Sequence, residues 1–339
     1  MSSLTLHVDG ERWRHHISHY VARHQGDLVP VIKGNGYGFG IPTLARESEG
    51  FSAECVACYS AEEAAIIRSQ YNGDVLLLSP QESIDESWII HTVAPHSKDF
   101  IEKRPARFVL EILSPVKRHG FLITDIKNAL DEYSQTGKCA GLALHLPIDQ
   151  QRMKGDAITW IASQLAQLAK VGVNPSEYSQ TLWISHIAPD DLVEVRKRWP
   201  DIRWRVRVGT DLWLGARTSL TATARVLDCH QVSAGEKIGY RQRTPGRGWL
   251  IIAAGGTAEG IGLEVPTRGG KQLLKALFRL FGWNPSPYSW NGKVLSFAEA
   301  PHMHNSLLYL KSGVPPEVGE EIGLTVRFTT TTFHEVVFE

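Results

Sequence analysis

The chain has 339 residues, of which 42% are hydrophobic and 21% are charged, and its formal net charge at pH 7 is zero. This composition is typical of a soluble globular enzyme with about two domains, and the balanced charge gives no indication of a nucleic-acid or anionic-membrane partner. No apolar stretch approaches the roughly 18 residues of a membrane span, and no signal-peptide pattern is visible. We therefore expect a cytoplasmic protein with no membrane partner.

Cysteine usage gives no sign of a disulfide framework or a metal site. The four cysteines have unrelated spacings, and only Cys55 and Cys58 form a CxxC pair. A zinc site would need further ligands at a comparable spacing, and the residues around this pair are typical of a strand. We therefore expect structural thiols and no metal ion.

Apolar segments of strand length alternate with amphipathic segments from Leu28 to about Ala216. Ser60 and Glu63 form a capping-box pattern that predicts the start of one helix. Repeated strand–helix units predict a parallel sheet, and we favour an α/β fold with a closed (β/α)8 TIM-type barrel over a doubly wound sheet. The predicted strands cover residues 53–59, 75–80, 92–95, 107–113, 142–147, 182–187 and 203–208, and predicted helices include residues 41–48 and 156–171.

The pattern changes after Gly215, where short alternating segments are separated by Gly, Asn and Pro. Such segments predict strands, and Asn291-Gly292 predicts a hairpin turn. The predicted strands cover residues 223–227, 249–253, 294–297 and 306–310, and a short helix is predicted near residues 271–281. We therefore expect two domains, a barrel over residues 1–217 and a mainly β domain over residues 218–339.

One lysine follows the first apolar run of this region directly. The run over residues 28–32 ends at Lys33, and glycines then occupy positions 34, 36, 38 and 40. Parallel α/β proteins place their chemistry at the carboxyl ends of strands, and apolar surroundings lower the pKa of a lysine so that it can attack a carbonyl group. Lys33 is thus a candidate imine-forming amine. A surface lysine before a glycine-rich turn is the alternative, and spacing alone does not decide between the two.

Three other predicted strands carry polar groups whose role the pattern leaves open. Glu111 lies in an apolar strand, so it either points to solvent or belongs to a polar network inside the barrel. His145 ends another strand, where a lone histidine is usually a satisfied core residue. Arg203, Arg205 and Arg207 share one strand face, which by itself indicates an outward basic face.

The loop of Lys33, the segment that leads to Arg118 and the segment over residues 207–215 together resemble the alanine racemase family of fold type III pyridoxal-phosphate (PLP) enzymes. The similarity extends over about residues 4–325. It implies a TIM-type barrel with a C-terminal β domain, PLP as cofactor, and a head-to-tail homodimer with active sites shared between subunits. It also implies that Lys33 carries PLP as a Schiff base, the internal aldimine, and that Tyr37 lies near the phosphate.

The same resemblance assigns roles to residues at other predicted strand ends. Arg118 matches the arginine that steers the phenolic oxygen of the cofactor and the substrate carboxylate. Glu111 matches a lysine that many racemases carboxylate, so its carboxylate would supply negative charge to Arg118. Arg207 would contact the pyridine nitrogen. Further implied cofactor contacts are His145 on the pyridine face, His186 near the phosphate loop, and the backbone amides of Gly209 and Thr210 at the phosphate.

Three positions depart from the family pattern. Thr257 stands where the family has a catalytic tyrosine, and a threonine cannot replace a phenol of pKa about 10. His304 stands where the family has an aspartate of the shared site; it is either a surface histidine or a group that exchanges protons. Asp190 stands where the family has a phosphate-binding serine, and its charge would repel a phosphate.

These observations predict a PLP-dependent amino-acid racemase or epimerase, an isomerase in which Lys33 carries the proton on one face of the substrate Cα. For the other face, His304 of the partner subunit is the first candidate. The departures leave two alternatives open. One is a PLP-dependent decarboxylase or aldolase-type enzyme that uses a single base, and the other is a non-catalytic PLP-binding protein. The sequence does not identify the substrate amino acid.

Overall fold

The computed structural model describes residues 4–82, 84–97, 106–135, 137–149, 156–263 and 284–339. Its contacts divide the chain into two compact units. The barrel unit consists of His15–Gly36 and Ile41–Gly215, and the sheet unit consists of the stretch that ends at Arg14, Tyr37–Gly40 and Ala216–Glu339. The division into functional domains over residues 1–217 and 218–339 stays a prediction.

Helices and strands are numbered here along the chain. The helices are α1 (Gly10–His24), α2 (Ile41–Gly50), α3 (Ala61–Arg68), α4 (Ile123–Tyr133), α5 (Ala157–Lys170), α6 (Pro175–Tyr178), α7 (Pro189–Arg198) and α8 (Thr210–Leu214). The strands of the barrel unit are β2 (Leu28–Pro30), β3 (Cys55–Cys58), β4 (Asp74–Leu77), β5 (Ile89–Val93), β6 (Arg107–Glu111), β7 (Lys138–His145), β8 (Thr181–Ser185) and β9 (Arg203–Val208). The strands of the sheet unit are β1 (Leu4–Val8), β10 (Leu220–Val232), β11 (Gly248–Ala254), β12 (Pro285–Trp290), β13 (Lys293–Phe297), β14 (Asn305–Leu310), β15 (Glu321–Leu324) and β16 (Glu335–Phe338).

The barrel unit is one parallel sheet of eight strands in the order β2-β9-β8-β7-β6-β5-β4-β3. The two end strands approach each other beyond β2, where Val31 bridges Ala57 and the Ile32 N–H donates to the Ala57 carbonyl at 2.7 Å. The sheet thus forms a nearly closed barrel, which confirms the predicted TIM-type fold and makes the doubly wound alternative wrong.

Burial on both faces explains why these strands have continuous apolar sequences. Inside the barrel, Val29, Leu76 and Val109 belong to one apolar cluster. Outside it, Phe108 and Leu110 pack in a second cluster with residues of the surrounding helices. Strands covered on both faces read as apolar runs rather than as alternating patterns, and this is the pattern from which the sheet was predicted.

Local signals account for where several elements begin and end. The Ser60 hydroxyl accepts from the Glu63 N–H at 3.3 Å, so the capping box predicted for α3 is confirmed. Strand β5 covers Ile89–Val93, whereas the prediction covered residues 92–95. That prediction was wrong in its bounds, because Ile89 pairs with Val75 of β4 and Pro95 has no N–H for a ladder bond. The helix predicted near residues 271–281 lies outside the described residues.

The sheet unit is an eight-stranded sheet in the order β11-β14-β13-β12-β15-β10-β1-β16. Its pairs are antiparallel except for β1 with β16. Asn291 and Gly292 connect β12 to β13 with positive φ values of 49° and 73°, which confirms the predicted hairpin. The sheet packs around an apolar cluster that includes Leu4, Ile251 and Tyr288. No helix in the described ranges is long and apolar enough to cross a membrane.

Candidate active site

The carboxyl edge of the barrel gathers the side chains that the sequence singled out. Since parallel strands all end at the same edge, residues at their carboxyl ends face one region. Several ionisable groups lie on this edge: Lys33 after β2, Glu111 at the end of β6, His145 at the end of β7, His186 after β8, and Arg207 near the end of β9.

Lys33 is a solvent-accessible amine with a perturbed ionisation. Partial burial lowers its pKa below the ordinary lysine value, and the charges of Arg118 and Arg207 lower it further, whereas Glu63 opposes the shift. A lowered pKa increases the fraction of neutral, nucleophilic amine near neutral pH. Lys33 therefore has the property that covalent attachment to an aldehyde requires.

Glu63 is a site residue that sequence reasoning missed. One carboxylate oxygen accepts from the Gly34 N–H at 2.6 Å, and the other accepts from the Tyr59 N–H at 2.7 Å and the Ser60 N–H at 3.4 Å. The side chain therefore ties the loop after Lys33 to the start of α3. The capping box indicated only the contact with Ser60, because Gly34 lies 29 positions away in sequence.

Arg207 and Glu111 form a buried ion pair at the centre of the edge. Arg207 Nη1 lies 3.4 Å from Glu111 Oε2, and both side chains are 2% exposed. Nη2 donates to the Leu144 carbonyl at 3.0 Å. Burial lowers the pKa of Arg207, and Glu111 opposes this shift. Of the two interpretations of Glu111, the network inside the barrel is correct, although its partner is Arg207 rather than Arg118.

The turn that carries Arg118 is fixed by backbone hydrogen bonds. The Phe121 N–H donates to the Glu111 carbonyl at 2.8 Å, and the Leu113 N–H donates to the Phe121 carbonyl at 2.9 Å. Gly120 has φ of 138°, and a Cβ there would lie 2.7 Å from the Ile112 carbonyl carbon, so only glycine fits. Arg118 is held exposed on this turn, where its charge lowers the pKa of Lys33.

The histidines on this edge are held neutral by their surroundings. Burial, followed by the charges of Arg207 and Arg118, lowers the pKa of His145 to about 3. Burial and Arg207 lower the pKa of His186 in the same way. The two rings meet edge-on with centroids 5.3 Å apart, and His145 Nδ1 lies 3.0 Å from the Ser185 hydroxyl. Neither ring is therefore a cation near neutral pH.

Two of the three alternating arginines of β9 face the barrel interior, whereas Arg203 at the start of the strand is exposed. Arg205 and Arg207 are only 8% and 4% exposed. Glu54 pairs with Arg203 at 2.8 Å and with Arg205 at 2.5 Å. The interpretation as an outward basic face is therefore wrong for Arg205 and Arg207, because a strand of a barrel turns one of its faces inward.

The CxxC cysteines are buried free thiols of β3, and Cys55 belongs to the apolar cluster inside the barrel. Cys55 and Cys58 are both buried. Burial raises the pKa of Cys55 to about 12 and also raises that of Cys58. Thiols held protonated in this way are unreactive. Across the described ranges, no group of three or more His, Cys, Asp or Glu residues could hold a metal ion.

The remaining predicted site residues follow this cluster in sequence or belong to the sheet unit. Gly209 and Thr210 come directly after β9, at the start of the short helix α8. Tyr37 is buried, has φ of 55°, and belongs to the sheet unit, as does His304. The roles of these four residues, like those of the other predicted site residues, stay predictions.

An eight-stranded parallel barrel with a lysine amine at its carboxyl edge, in a chain that also carries a mainly antiparallel sheet unit, defines an α/β barrel protein with a second, β-sheet unit. The sequence profile described as alanine racemase, N-terminal domain, matches residues 8–181. This is just over half of the chain, and the protein therefore belongs to the alanine racemase family.

Solved alanine racemases share the fold over the whole chain. The enzyme from Bacillus anthracis, with bound L-Ala-P, has a TM-score of 0.70 at 17% identity, with 100% of this chain and 95% of that chain covered. The enzyme from Streptomyces lavendulae has a TM-score of 0.68 at 18% identity, with 100% and 97% covered. The Bartonella henselae enzyme, with covalently bound pyridoxal phosphate, has a TM-score of 0.65 at 14% identity, with 100% of both chains covered. No curated protein sequence matches the chain significantly.

Proposed function

We propose that the protein is a PLP-dependent amino-acid racemase or epimerase. The observation that carries this proposal is the Lys33 amine, whose pKa is lowered by burial and by Arg118 at the carboxyl edge of a barrel. Family membership and the structural relative with covalently bound pyridoxal phosphate support the choice of cofactor.

The donors at this edge fit PLP. Lys33 supplies the amine for the aldehyde of the cofactor. Arg207 Nε is buried without a hydrogen-bond partner among the described residues, and a pyridine nitrogen is an acceptor of the kind that it lacks. His145, neutral and flat, suits stacking on an aromatic ring. Gly209, Thr210, His186 and Tyr37 are the residues we assign to the phosphate.

The residues of this chain would then have different roles in proton exchange at the substrate Cα. Bound PLP withdraws electrons from that carbon and so makes its proton acidic. Lys33 Nζ moves a proton on one face, since its lowered pKa increases the fraction of neutral amine that can accept one. Arg118 binds the substrate carboxylate as a charge-assisted donor. Arg207 stays charged and keeps its protons, so a pyridine nitrogen beside it stays unprotonated.

The opposite face needs a second group, and we assign it to His304 of the partner subunit in a homodimer. Thr257 has no ionisable group to offer, whereas the two ring nitrogens of an imidazole can accept and donate a proton. Light scattering of the purified protein tests the homodimer, and a monomer at all concentrations would contradict it.

Covalent attachment of PLP is the first test. The protein is incubated with PLP, reduced with borohydride and digested, and the tagged peptide is identified by mass spectrometry. We expect the tag on Lys33 and its loss in Lys33→Ala. Lys138→Ala is the matched control, because Lys138 is exposed at the opposite edge of the barrel. A tag that survives Lys33→Ala would overturn the proposal.

The reaction is the second test. The holoenzyme is incubated in D2O with a panel of L- and D-amino acids. Deuterium at Cα with loss of optical activity is the expected result. Release of carbon dioxide or an aldehyde would establish the one-base alternative instead, and no change with any amino acid would leave a PLP-binding protein without catalysis.

A further inference from the structure

A buried carboxylate in the sheet unit holds an exposed histidine. Glu259 lies in the single turn Thr257–Glu259 and is only 6% exposed. Its Oε1 lies 2.8 Å from His304 Nδ1, and the His304 side chain is 70% exposed. Its Oε2 accepts from the Gly256 N–H at 2.9 Å. The carboxylate is therefore fixed at both oxygens.

The protonation state of the pair follows from these contacts. Burial raises the pKa of Glu259, but the hydrogen bonds from His304 and from the Gly256 N–H outweigh this and lower it below the usual value. An ionised carboxylate only accepts hydrogen bonds. His304 Nδ1 must then carry a proton, which leaves Nε2 as the acceptor of the neutral ring.

The backbone around the pair is tightly specified. The Thr257 N–H donates to the His302 carbonyl at 2.8 Å, the Ala258 N–H donates to the Met303 carbonyl at 2.9 Å, and the Gly255 N–H donates to the His304 carbonyl at 3.1 Å. A Cβ at Gly256 would collide with the backbone of His302 and Met303. His304 is thus clamped beside Thr257 on a rigid support, as an acid–base group requires.

Glu299 and His302 form a second carboxylate–histidine pair in the same unit, but the His302 side chain is much less exposed than that of His304. His302 Nε2 lies 2.6 Å from Glu299 Oε1, and the His302 side chain is 23% exposed beneath the Tyr240 ring, with centroids 4.7 Å apart. Its contacts are those of a structural hydrogen bond. Among the described residues, Nε2 of His304 has no such cover.

We propose that Glu259 and His304 form an acid–base dyad, in which His304 Nε2 exchanges the substrate proton and Glu259 is the positioning residue that fixes the imidazole. This proposal rests on the proposed function and deepens it. In one direction Nε2 of one subunit takes the Cα proton, the electron pair of that bond stays with the substrate, and the partner subunit's Lys33 returns a proton on the other face. The reverse direction exchanges the two roles, so protons balance in both.

The positioning role has a readout that does not depend on the cofactor. In Glu259→Gln, the single amide oxygen keeps the Gly256 N–H, and the amide NH2 then faces His304 Nδ1. Nδ1 becomes an acceptor, and the proton moves to Nε2, which removes the free base. We expect ring 15N NMR to show the Nδ1–H form in the native protein and the Nε2–H form in the variant, with His304→Gln used to assign the signal.

The catalytic role is measured by exchange of the Cα proton with D2O for each enantiomer of the substrate. His304→Gln should slow exchange of one enantiomer by at least about 10²-fold and leave the other, which depends on Lys33, nearly unchanged. Glu259→Gln should slow the same enantiomer, and Glu259→Asp, which keeps the charge, should restore part of the rate. Asp228→Asn is the control, since Asp228 pairs with His230 at the surface with both side chains 56% exposed.

An unchanged tautomer in Glu259→Gln would overturn the dyad whether or not PLP binds. Equal loss of exchange for both enantiomers in His304→Gln, or no loss for either, would overturn its catalytic part. If Glu259→Gln does not fold, exchange is measured in Glu259→Asp and His304→Gln instead. Exchange at the native rate in both of these variants would contradict the proposal. Failure of the proposed function would instead show in the borohydride experiment, as the absence of a PLP tag on Lys33.

Discussion

Histidines in the barrel unit and in the sheet unit have opposite electrostatic neighbours. At the barrel edge, burial and the charges of Arg207 and Arg118 lower the pKa of His145 to about 3. In the sheet unit, His302 and His304 each contact a carboxylate, at 2.6 Å and 2.8 Å. A cation beside an imidazole disfavours its protonated form, whereas a carboxylate stabilises that form.

This difference suits the two units to different parts of the proposed reaction. A cation-rich edge suits the binding of anionic groups and keeps its own histidines neutral, so they are poor proton donors there. A carboxylate–histidine pair can hold a transferred proton, because the carboxylate stabilises the imidazolium. In the proposed reaction, the barrel unit thus supplies binding and one proton carrier, and the sheet unit of the partner subunit supplies groups suited to a second.

The barrel edge depends most strongly on the ion pair between Arg207 and Glu111. Arg207→Gln leaves Glu111 as a buried charge without its partner, and we expect the free energy of unfolding to fall by about 3–5 kcal/mol, measured by urea denaturation. Arg203→Gln on the same strand is the matched control. Its pair with Glu54 has side chains 47% and 57% exposed, and such pairs contribute at most about 1 kcal/mol.

A double variant sharpens this result. Arg207→Gln combined with Glu111→Gln removes both charges, so it should recover much of the lost stability through a coupling term. Equal destabilisation by the Arg203 and Arg207 variants would show that the buried pair does not organise the edge.

In the sheet unit, the comparable change is Glu299→Gln. Glu299 is 4% exposed and accepts from His302 and from the Tyr240 and Arg241 N–H groups. Loss of the charge from these bonds should cost about 2 kcal/mol in the same denaturation experiment. Asp228→Asn, at an exposed pair, should change stability by less than about 0.5 kcal/mol. Equal effects of the two substitutions would contradict the structural role of Glu299.

The fold was largely predictable because its signals are local. Strands buried on both faces gave apolar runs, Ser60 with Glu63 marked the start of α3, and Asn291-Gly292 marked a hairpin. The end of the first apolar run also pointed to Lys33. Each of these features depends on a few neighbouring residues, so one sequence contains the information.

Contacts between distant segments were not predictable in this way. Arg207 and Glu111 are 96 positions apart, and whether Glu111 faces inward depends on the barrel being closed. Glu259 meets His304 across 45 positions. The N-terminal strand β1 joins the C-terminal sheet between β10 and β16, although the sequence placed it with the barrel. All of these contacts form only when distant segments come together in the tertiary fold, and the periodicity of the sequence contains no information about them.

Glu63 provides a smaller test of the barrel edge. Glu63→Gln removes the negative charge that opposes the lowering of the Lys33 pKa, so that pKa should fall further and the pH midpoint for PLP attachment should move down. Because Glu63 accepts from the N–H groups of Gly34, Tyr59 and Ser60, the substitution should also lower the free energy of unfolding by about 1 kcal/mol. Glu62→Gln is the control, since Glu62 is exposed in the same first turn. An upward shift of the midpoint would contradict the role of Glu63.

The smallest effect concerns His145 and acid. Its folded pKa of about 3 lies below the ordinary histidine value of 6.5, so the unfolded chain binds more protons between these values. Stability is therefore complete above about pH 6.5 and is lost as the pH falls toward 3. His145→Asn should remove this part of the acid-induced loss of unfolding free energy, roughly 0.5 kcal/mol at pH 6 after allowance for partial exposure. Above pH 7, the dependence of the unfolding free energy on pH should not change. Thermal denaturation across this range measures it, and His230→Asn at the exposed surface is the control. If both variants lose stability with acid as steeply as the native protein, His145 is not held neutral by the cations of the barrel edge, and the contrast with the sheet unit does not hold.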